Sequence, residues 1–307
     1  MDNSLLNSKE IYHKSVLPRE VLEQLNIKTH GTYIDVTFGG GGHTGSILRA
    51  EPTCKVIAFD WDKIALETNG APLKEQFGER LELLWGNFAH LDRLMKKHNL
   101  SKVDGILADF GTSQNQIHER EGFSFRKETA LDMRMSPGHQ KVWARDLIAK
   151  MPEKELATLI FEYGEDHNAN KIARAIVQAR GKKRIMTTLD LAQLIESVVP
   201  IRHNQRIHPA TKTFQALRIA VNHELDNIVT FLKASVNYLK LGGRLLCISF
   251  HSLEDRIVKN FYKEQKNTLT ILTKKPIVAG EEELFNNPSA RSAKLRVAEK
   301  CLQVCNN

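Results

Sequence analysis

The sequence predicts an α/β fold: a doubly wound, Rossmann-like parallel sheet interrupted after its fourth strand by a small helical insertion. Three observations lead there. Short apolar runs alternate with helical patterns over the first third of the chain, as expected of strands joined by helical crossovers. From about residue 116 to 207 the pattern turns helical, and strand-like runs return only afterwards. A glycine-rich turn, DVTFGGGGHTG at residues 35 to 45, leads from the first strand into an apolar helical pattern, where a backbone can approach a ligand closely.

Taken in order, Tyr33 to Phe38, Lys55 to Asp60, Leu81 to Trp85 and Val103 to Phe110 read as the first four strands, with helical periodicity in Asp62 to Glu67 and Phe88 to Lys97. In the insertion, NKIARAIVQARG places Ile172, Ala175, Ile176 and Ala179 on one face and Gly181 at its stop. Thr187 stands three residues before Asp190, the spacing of a capping box. Pro209 fits a first helical position, and Phe214, Leu217, Val221, Leu225 and Ile228 form one long apolar stripe after it. GGRLLCISF reads as a strand, Ser252 with Asp255 as a helix start, and LTILTKKPIV and AKLRVAEKC as closing strands. The expected division is a sheet domain of residues 1–115 and 208–307 around an insertion of residues 116–207.

Composition narrows the function classes. With 41% apolar and 26% charged residues over 307 positions, the chain matches ordinary globular proteins. A formal charge of +8 favours a polyanionic partner. Cys54, Cys247, Cys301 and Cys305 are too few and scattered for a disulfide framework or a zinc site, so a reducing, cytoplasmic setting and no metal are expected. No apolar run approaches the roughly 18 residues of a membrane span, and MDNSLLNSKEIYHKSVLP lacks the apolar core of a signal peptide.

Gly40, Gly42 and Gly45 satisfy G-x-G-x-x-G, and Asp60 ends the second strand where a ribose-binding acid is expected. The spacing alone leaves three readings: a dinucleotide pyrophosphate, the amino-acid part of S-adenosylmethionine, or a turn with no ligand. Asp35, the glycines and Asp60 together favour an adenosyl ligand. Asp109, at the end of the fourth strand in ADFG, should face the same crevice. A carboxylate there can accept an amine hydrogen and help free a lone pair delocalised into a ring, a need that hydride transfer does not have. Asp109 is therefore the catalytic candidate, against the plainer role of a turn or cap residue.

The motifs HKSVLPREVLEQL, GGGGHTG, GNFAHL, VDGILADFG, LDMRM, HPATKTFQALR and SFHSLEDRIVK, spread over nearly the whole chain, closely resemble the bacterial ribosomal RNA small subunit methyltransferase H family, also called MraW. The resemblance implies a class I methyltransferase sheet and transfer of a methyl group from S-adenosylmethionine to N4 of a cytosine in the decoding site of 16S rRNA, with the small ribosomal subunit as partner. Carried over by position, it implies cofactor contacts from Gly41, Gly42, His43, Asp60, Phe88, Asp109 and Gln116. Three departures stand out. Gln114 and Asn115 replace Ser and Pro in DFGTSQNQ, Ser136 follows LDMRM where an acid is usual, and Ser289 replaces an Arg.

Phosphate contacts are expected from Lys182 to Arg184, from Arg202, Arg206 and His208, from Lys274 and Lys275, and from Arg291, Lys294 and Arg296. Phe123 and Phe125 are candidates to hold a splayed-out base. Two alternatives accompany this reading. An NAD-dependent oxidoreductase would share the glycine turn, and a non-enzymatic RNA-binding assembly factor would share the charge.

Overall fold

The computed structural model describes residues 14–111, 121–199 and 207–302. Packing divides the chain into one unit of Met1–Ser113 with Leu225–Asn307 and a second of Gln114–Glu224.

The first unit opens with α1 (Pro18–Leu25), followed by β1 (Thr32–Asp35), α2 (Gly42–Ala50), β2 (Lys55–Asp60), α3 (Lys63–Phe77), β3 (Leu81–Trp85), α4 (Leu91–Lys97) and β4 (Val103–Asp109). β1, β2 and β4 are near-continuous buried runs because both faces of the sheet are covered there, whereas β3, at the sheet edge, leaves Glu82 and Trp85 exposed. Successive residues serve opposite cores: Ile34 and Ile106 join one, and Tyr33 and Leu107 the other. β1 is shorter than its apolar run suggests. Val36 N–H still donates to Leu107 O on β4, but Phe38 N–H donates to Phe59 O on β2, so the chain crosses between its neighbours as it rises into the glycine turn.

The second unit contains α5 (Ala144–Lys150), α6 (Glu153–Gly164), α7 (Ala169–Arg180), α8 (Thr188–Val198) and α9 (Thr211–Asn222). Its own core gathers Leu156, Ile160, Ile172, Ile176, Leu191, Ile195 and Leu217. α7 has Gly181 as its C-cap. α8 is closed by the expected box, with Asp190 N–H donating to Thr187 Oγ1 and Thr187 N–H to Asp190 Oδ2, both at 3.1 Å.

The chain returns to the sheet through α10 (Glu224–Tyr238), β5 (Leu239–Ser249), α11 (Ser252–Glu264), β6 (Leu269–Ile271), α12 (Glu281–Asn286) and β7 (Lys294–Lys300). Among the described residues the sheet has seven strands in the order β3-β2-β1-β4-β5-β7-β6. β1 to β5 run parallel, and β7 is antiparallel to both β5 and β6. A dinucleotide-binding sheet has the order 3-2-1-4-5-6. The reversed strand between β5 and β6 makes this instead the Rossmann-like sheet of class I methyltransferases.

Three sequence expectations are corrected. The apolar stripe after Pro209 is not one helix: His223 adopts φ 51° and ends α9 before α10 begins. Phe214, Leu217 and Val221 enter the core of the second unit, while Ile228 enters a core of the first. The second boundary thus lies at 224/225 and not 207/208. The physical reason is the packing of α9 on α6, where a Cβ on Gly164 would sit 2.6 Å from the Lys212 carbonyl oxygen. Finally, α11 opens at Ser252 as expected, and what differs is its cap, which is His251 paired with Glu254 in place of Ser252 with Asp255: His251 Nδ1 accepts from Glu254 N–H, and Glu254 Oε2 accepts from His251 N–H. Among the described residues no helix is long and apolar enough to cross a membrane.

Candidate active site

The carboxyl ends of parallel strands are where an open α/β sheet binds ligands, and β1, β2 and β4 end here on Asp35, Asp60 and Asp109. The glycine turn connects them. Gly39 and Gly41 take φ 52° and 74°, a left-handed conformation that costs glycine little. Gly41 also has no room for a side chain, because a Cβ there would strike Leu73 and Phe38. The turn is fastened at Gly39 through both of its backbone polar groups: Gly39 N–H donates to Asp60 Oδ2 at 2.7 Å, and Asn69 Nδ2 donates to Gly39 O at 3.0 Å. α2 begins directly after Gly41 with no side-chain cap, so its first N–H groups remain available to an anionic or polar group.

Asp60 accepts one backbone N–H at each oxygen, from Gly39 at Oδ2 and Asp62 at Oδ1. Each carboxylate oxygen has two acceptor positions, so one on each remains for vicinal hydroxyls. Burial pushes the Asp60 carboxyl up to about 6, against the opposing pull of the Asp62 and Gly39 N–H groups.

Asp109 is positioned from the backbone. Its N–H donates to Thr37 Oγ1 at 2.7 Å, and the Thr37 hydroxyl in turn donates to Asp35 Oδ1 at 3.4 Å. Asp35 is 1% exposed and also accepts from Thr44 Oγ1 at 2.7 Å. Burial raises the Asp35 carboxyl, with His43 and the threonine donors acting against it. Among the described residues, the Asp109 carboxylate receives a long 3.4 Å contact from Gly111 N–H and lies 3.7 Å from His43 Nε2. It remains an acceptor for an incoming donor.

Gly41, Gly42, His43, Asp60 and Asp109 therefore meet at one end of the sheet. Phe88 lies in the short 3-10 turn after β3 and packs its ring on Phe110 and Phe231, with centroids 5.8 and 5.6 Å away. Gln116 lies outside the described residues, as do Gln114, Asn115, Arg202, Arg206 and Cys305. Thr37 and Thr44 escaped the sequence reading. The signal was present for Thr37, since two residues after Asp35 on an extended chain a side chain returns to the same face.

Several expected RNA contacts are already engaged within the protein. Arg296 is 6% exposed and holds Asp255 through Nε and Nη2 at 2.6 and 3.0 Å, so it is an internal ion pair and not a phosphate contact. His208 Nε2 meets Glu196 Oε1 at 2.6 Å, and its ring stacks on Phe125 at 4.5 Å. Phe125, also edge-on to Phe214, is thus occupied by its own unit. Phe123 is half-buried and has no ring partner among the described residues. Ser136 is buried with its hydroxyl 3.0 Å from His139 Nδ1. Lys182 to Arg184, Lys274, Lys275 and Arg291 are exposed. Cys247 is packing in β5, where burial pushes its thiol up to about 12.

The ribosomal RNA small subunit methyltransferase H of Trichlorobacter lovleyi is 46% identical to this chain, over 95% of the chain and 99% of that protein. The protein of the same name from Nostoc punctiforme is 47% identical, over 96% and 97%. Among solved structures, an rRNA methylase from Streptococcus thermophilus aligns with a TM-score of 0.43 at 11% identity, covering 92% of this chain and 93% of that one. The MraW methylase family model matches residues 10–301. A match running through the glycine turn, the helical unit and the closing strands alike makes this chain a member of the MraW methylase family.

Proposed function

We propose that this chain transfers a methyl group from S-adenosylmethionine to N4 of a cytosine in the decoding site of 16S rRNA, within the small ribosomal subunit. The observation that carries the reading is the placement of Asp109 beside the glycine turn and Asp60 in a chain of the MraW family.

The residues present fit the cofactor. Asp60 keeps one acceptor position on each oxygen for the two ribose hydroxyls. The uncapped start of α2, with Gly41 and Gly42, offers N–H donors to a carboxylate. Both ring nitrogens of buried His43 lack a hydrogen-bond partner among the described residues, as expected of a group that completes its contacts with a ligand. Phe88 offers a partly exposed ring next to this edge. When bound, S-adenosylmethionine supplies an electrophilic sulfonium methyl.

The task left to the protein is alignment. An exocyclic amine shares its lone pair with the ring. Asp109, accepting an N4 hydrogen, turns that pair out of conjugation, and the Thr37 and Asp35 chain holds Asp109 in place. Fixing two reactants in this way replaces an encounter with an oriented contact. Lys182 to Arg184 and Lys274 with Lys275 supply positive charge for the phosphate backbone, and the helical unit serves RNA recognition.

Mass spectrometry of 16S rRNA from cells with and without the gene tests the reading. Loss of one methyl at cytosine N4, restored by the purified protein with labelled S-adenosylmethionine, is the expected result. RNA binding without transfer would instead identify an assembly factor.

A further inference from the structure

The helical unit contains a cavity of about 470 Å³, of whose lining only Arg184 is among the basic residues assigned to RNA above. Its floor is apolar, from Ile148 and Ile185, and its rim carries Arg145, Lys150, Arg180 and Arg184. Such a rim is hard to explain as structure alone. Arg180 has a structural duty, since Nη1 donates to Ile148 O and Met151 O at 2.6 and 2.7 Å, which closes the end of α5 and fixes the guanidinium. Arg145 sits over Trp143, with its guanidinium carbon 3.7 Å from the ring centroid. Its side chain, like those of Lys150 and Arg184, has no hydrogen-bonding or ionic partner among the described residues. Asp146 also lines the cavity, but its Oδ2 accepts Trp143 N–H in the cap of α5.

Four cations thus converge over an apolar floor with a single carboxylate among them. Low-polarity walls strengthen attraction for an anion, and a planar guanidinium held over an aromatic ring is pre-organised to grip phosphate oxygens. We propose that this cavity binds a backbone phosphodiester of the RNA substrate, with Arg145, Lys150 and Arg184 as its ligands and Arg180 as a fixed positive wall. The proposal rests on the rRNA reading above. It assigns an RNA contact to a recess within the helical unit, apart from exposed charge in general.

The test is binding of the full-length protein to a 16S rRNA fragment carrying the decoding region, measured across salt concentrations. Lys150 and Arg184 are exposed, so Lys150→Gln/Arg184→Gln keeps the fold. One lost phosphate contact should lower the salt slope by about 0.7 and weaken binding about fivefold at 0.1 M salt. Arg145→Gln, added to the pair, should weaken it further. Lys171→Gln serves as control: it removes an exposed charge from the same helix as Arg180, about 13.5 Å along its axis, and should leave the slope in place. Equal effects of the control and the pair, or none from the pair, overturn the proposal. Inorganic phosphate binding as tightly as the RNA, and losing affinity in the pair, would make the cavity a free-phosphate site and overturn the RNA assignment. Methyl transfer to small-subunit RNA by the unaltered protein is run alongside. Transfer with an unaffected pair sinks the cavity alone, whereas absence of transfer sinks the rRNA reading.

Discussion

Nε2 of His43 lies 3.7 Å from Oδ2 of Asp109, and neither ring nitrogen of this buried imidazole has a hydrogen-bond partner among the described residues. A buried polar group left unpaired costs about 1–3 kcal/mol. His43→Leu should therefore raise the melting temperature of the ligand-free protein, by about 2–4 °C for each kcal/mol recovered. It should also shrink the further rise that S-adenosylmethionine produces. Thermal melts with and without the cofactor check both, and a drop in the ligand-free value would show that the imidazole is already satisfied.

Asp109 should act on the rate beyond its effect on binding. With saturating cofactor, Asp109→Ala is expected to slow single-turnover methyl transfer by about a hundred- to a thousandfold, the usual effect of losing an oriented transition-state hydrogen bond worth about 2.7–4 kcal/mol. Full recovery of the rate at saturation would reduce Asp109 to a binding residue.

Asp60 should show the opposite split. Loss of two hydrogen bonds to a carboxylate in Asp60→Ala should cost about 3 kcal/mol, roughly a hundredfold in Kd for S-adenosylmethionine, with the rate at saturation little changed. The carboxyl titrates at about 6 in the ligand-free protein. Above that pH it is the anion, with its spare acceptor positions open; below it one oxygen carries a proton and becomes a donor. Cofactor affinity should therefore fall as pH drops through about 6, and calorimetry on Asp60→Asn should show no such inflection.

Gly41→Ala should impair folding and ligand binding together. The substitution forces a φ of 74° on a residue with a side chain and drives that side chain into Leu73 and Phe38. Strain of this kind costs about 1–3 kcal/mol before the clash is counted. Gly78→Ala serves as control: φ is 55° there, but the added Cβ meets nothing within 4 Å. Denaturant titrations should find Gly41→Ala the more damaging.

Exposed basic residues occur in both units, at Lys182 to Arg184 and at Lys274, Lys275 and Arg291. A folded RNA surface larger than one hairpin should be the better substrate. Small-subunit particles should accept methyl groups much faster than an isolated decoding-site oligonucleotide, as initial rates of label incorporation would show.

β2, β3 and the Thr187 cap were legible in the sequence because their causes are adjacent residues: an apolar run, or a hydroxyl and a carboxylate three positions apart. The break at His223 was not, since both helices need an apolar face and the stripe runs on through the turn. Charge was legible too, but its partners were not. Arg296 finds Asp255 and His208 finds Glu196 only when distant segments meet. Thr37 is the same case within the site, because the backbone it supports belongs to Asp109, 72 positions away.

The insertion also sets a schedule for synthesis. Asp109 of β4 pairs with Ile248 of β5, about 140 residues later, a stretch that a ribosome adding about 5–20 residues per second needs roughly 7–28 s to make. Throughout that interval β4 has no neighbour on one side, and an apolar strand with open backbone groups is prone to pair with another chain. The helical unit has its own core and can fold while the sheet waits. Conditions that slow elongation beyond residue 224 should therefore promote aggregation of nascent chains whose helical unit is already sound.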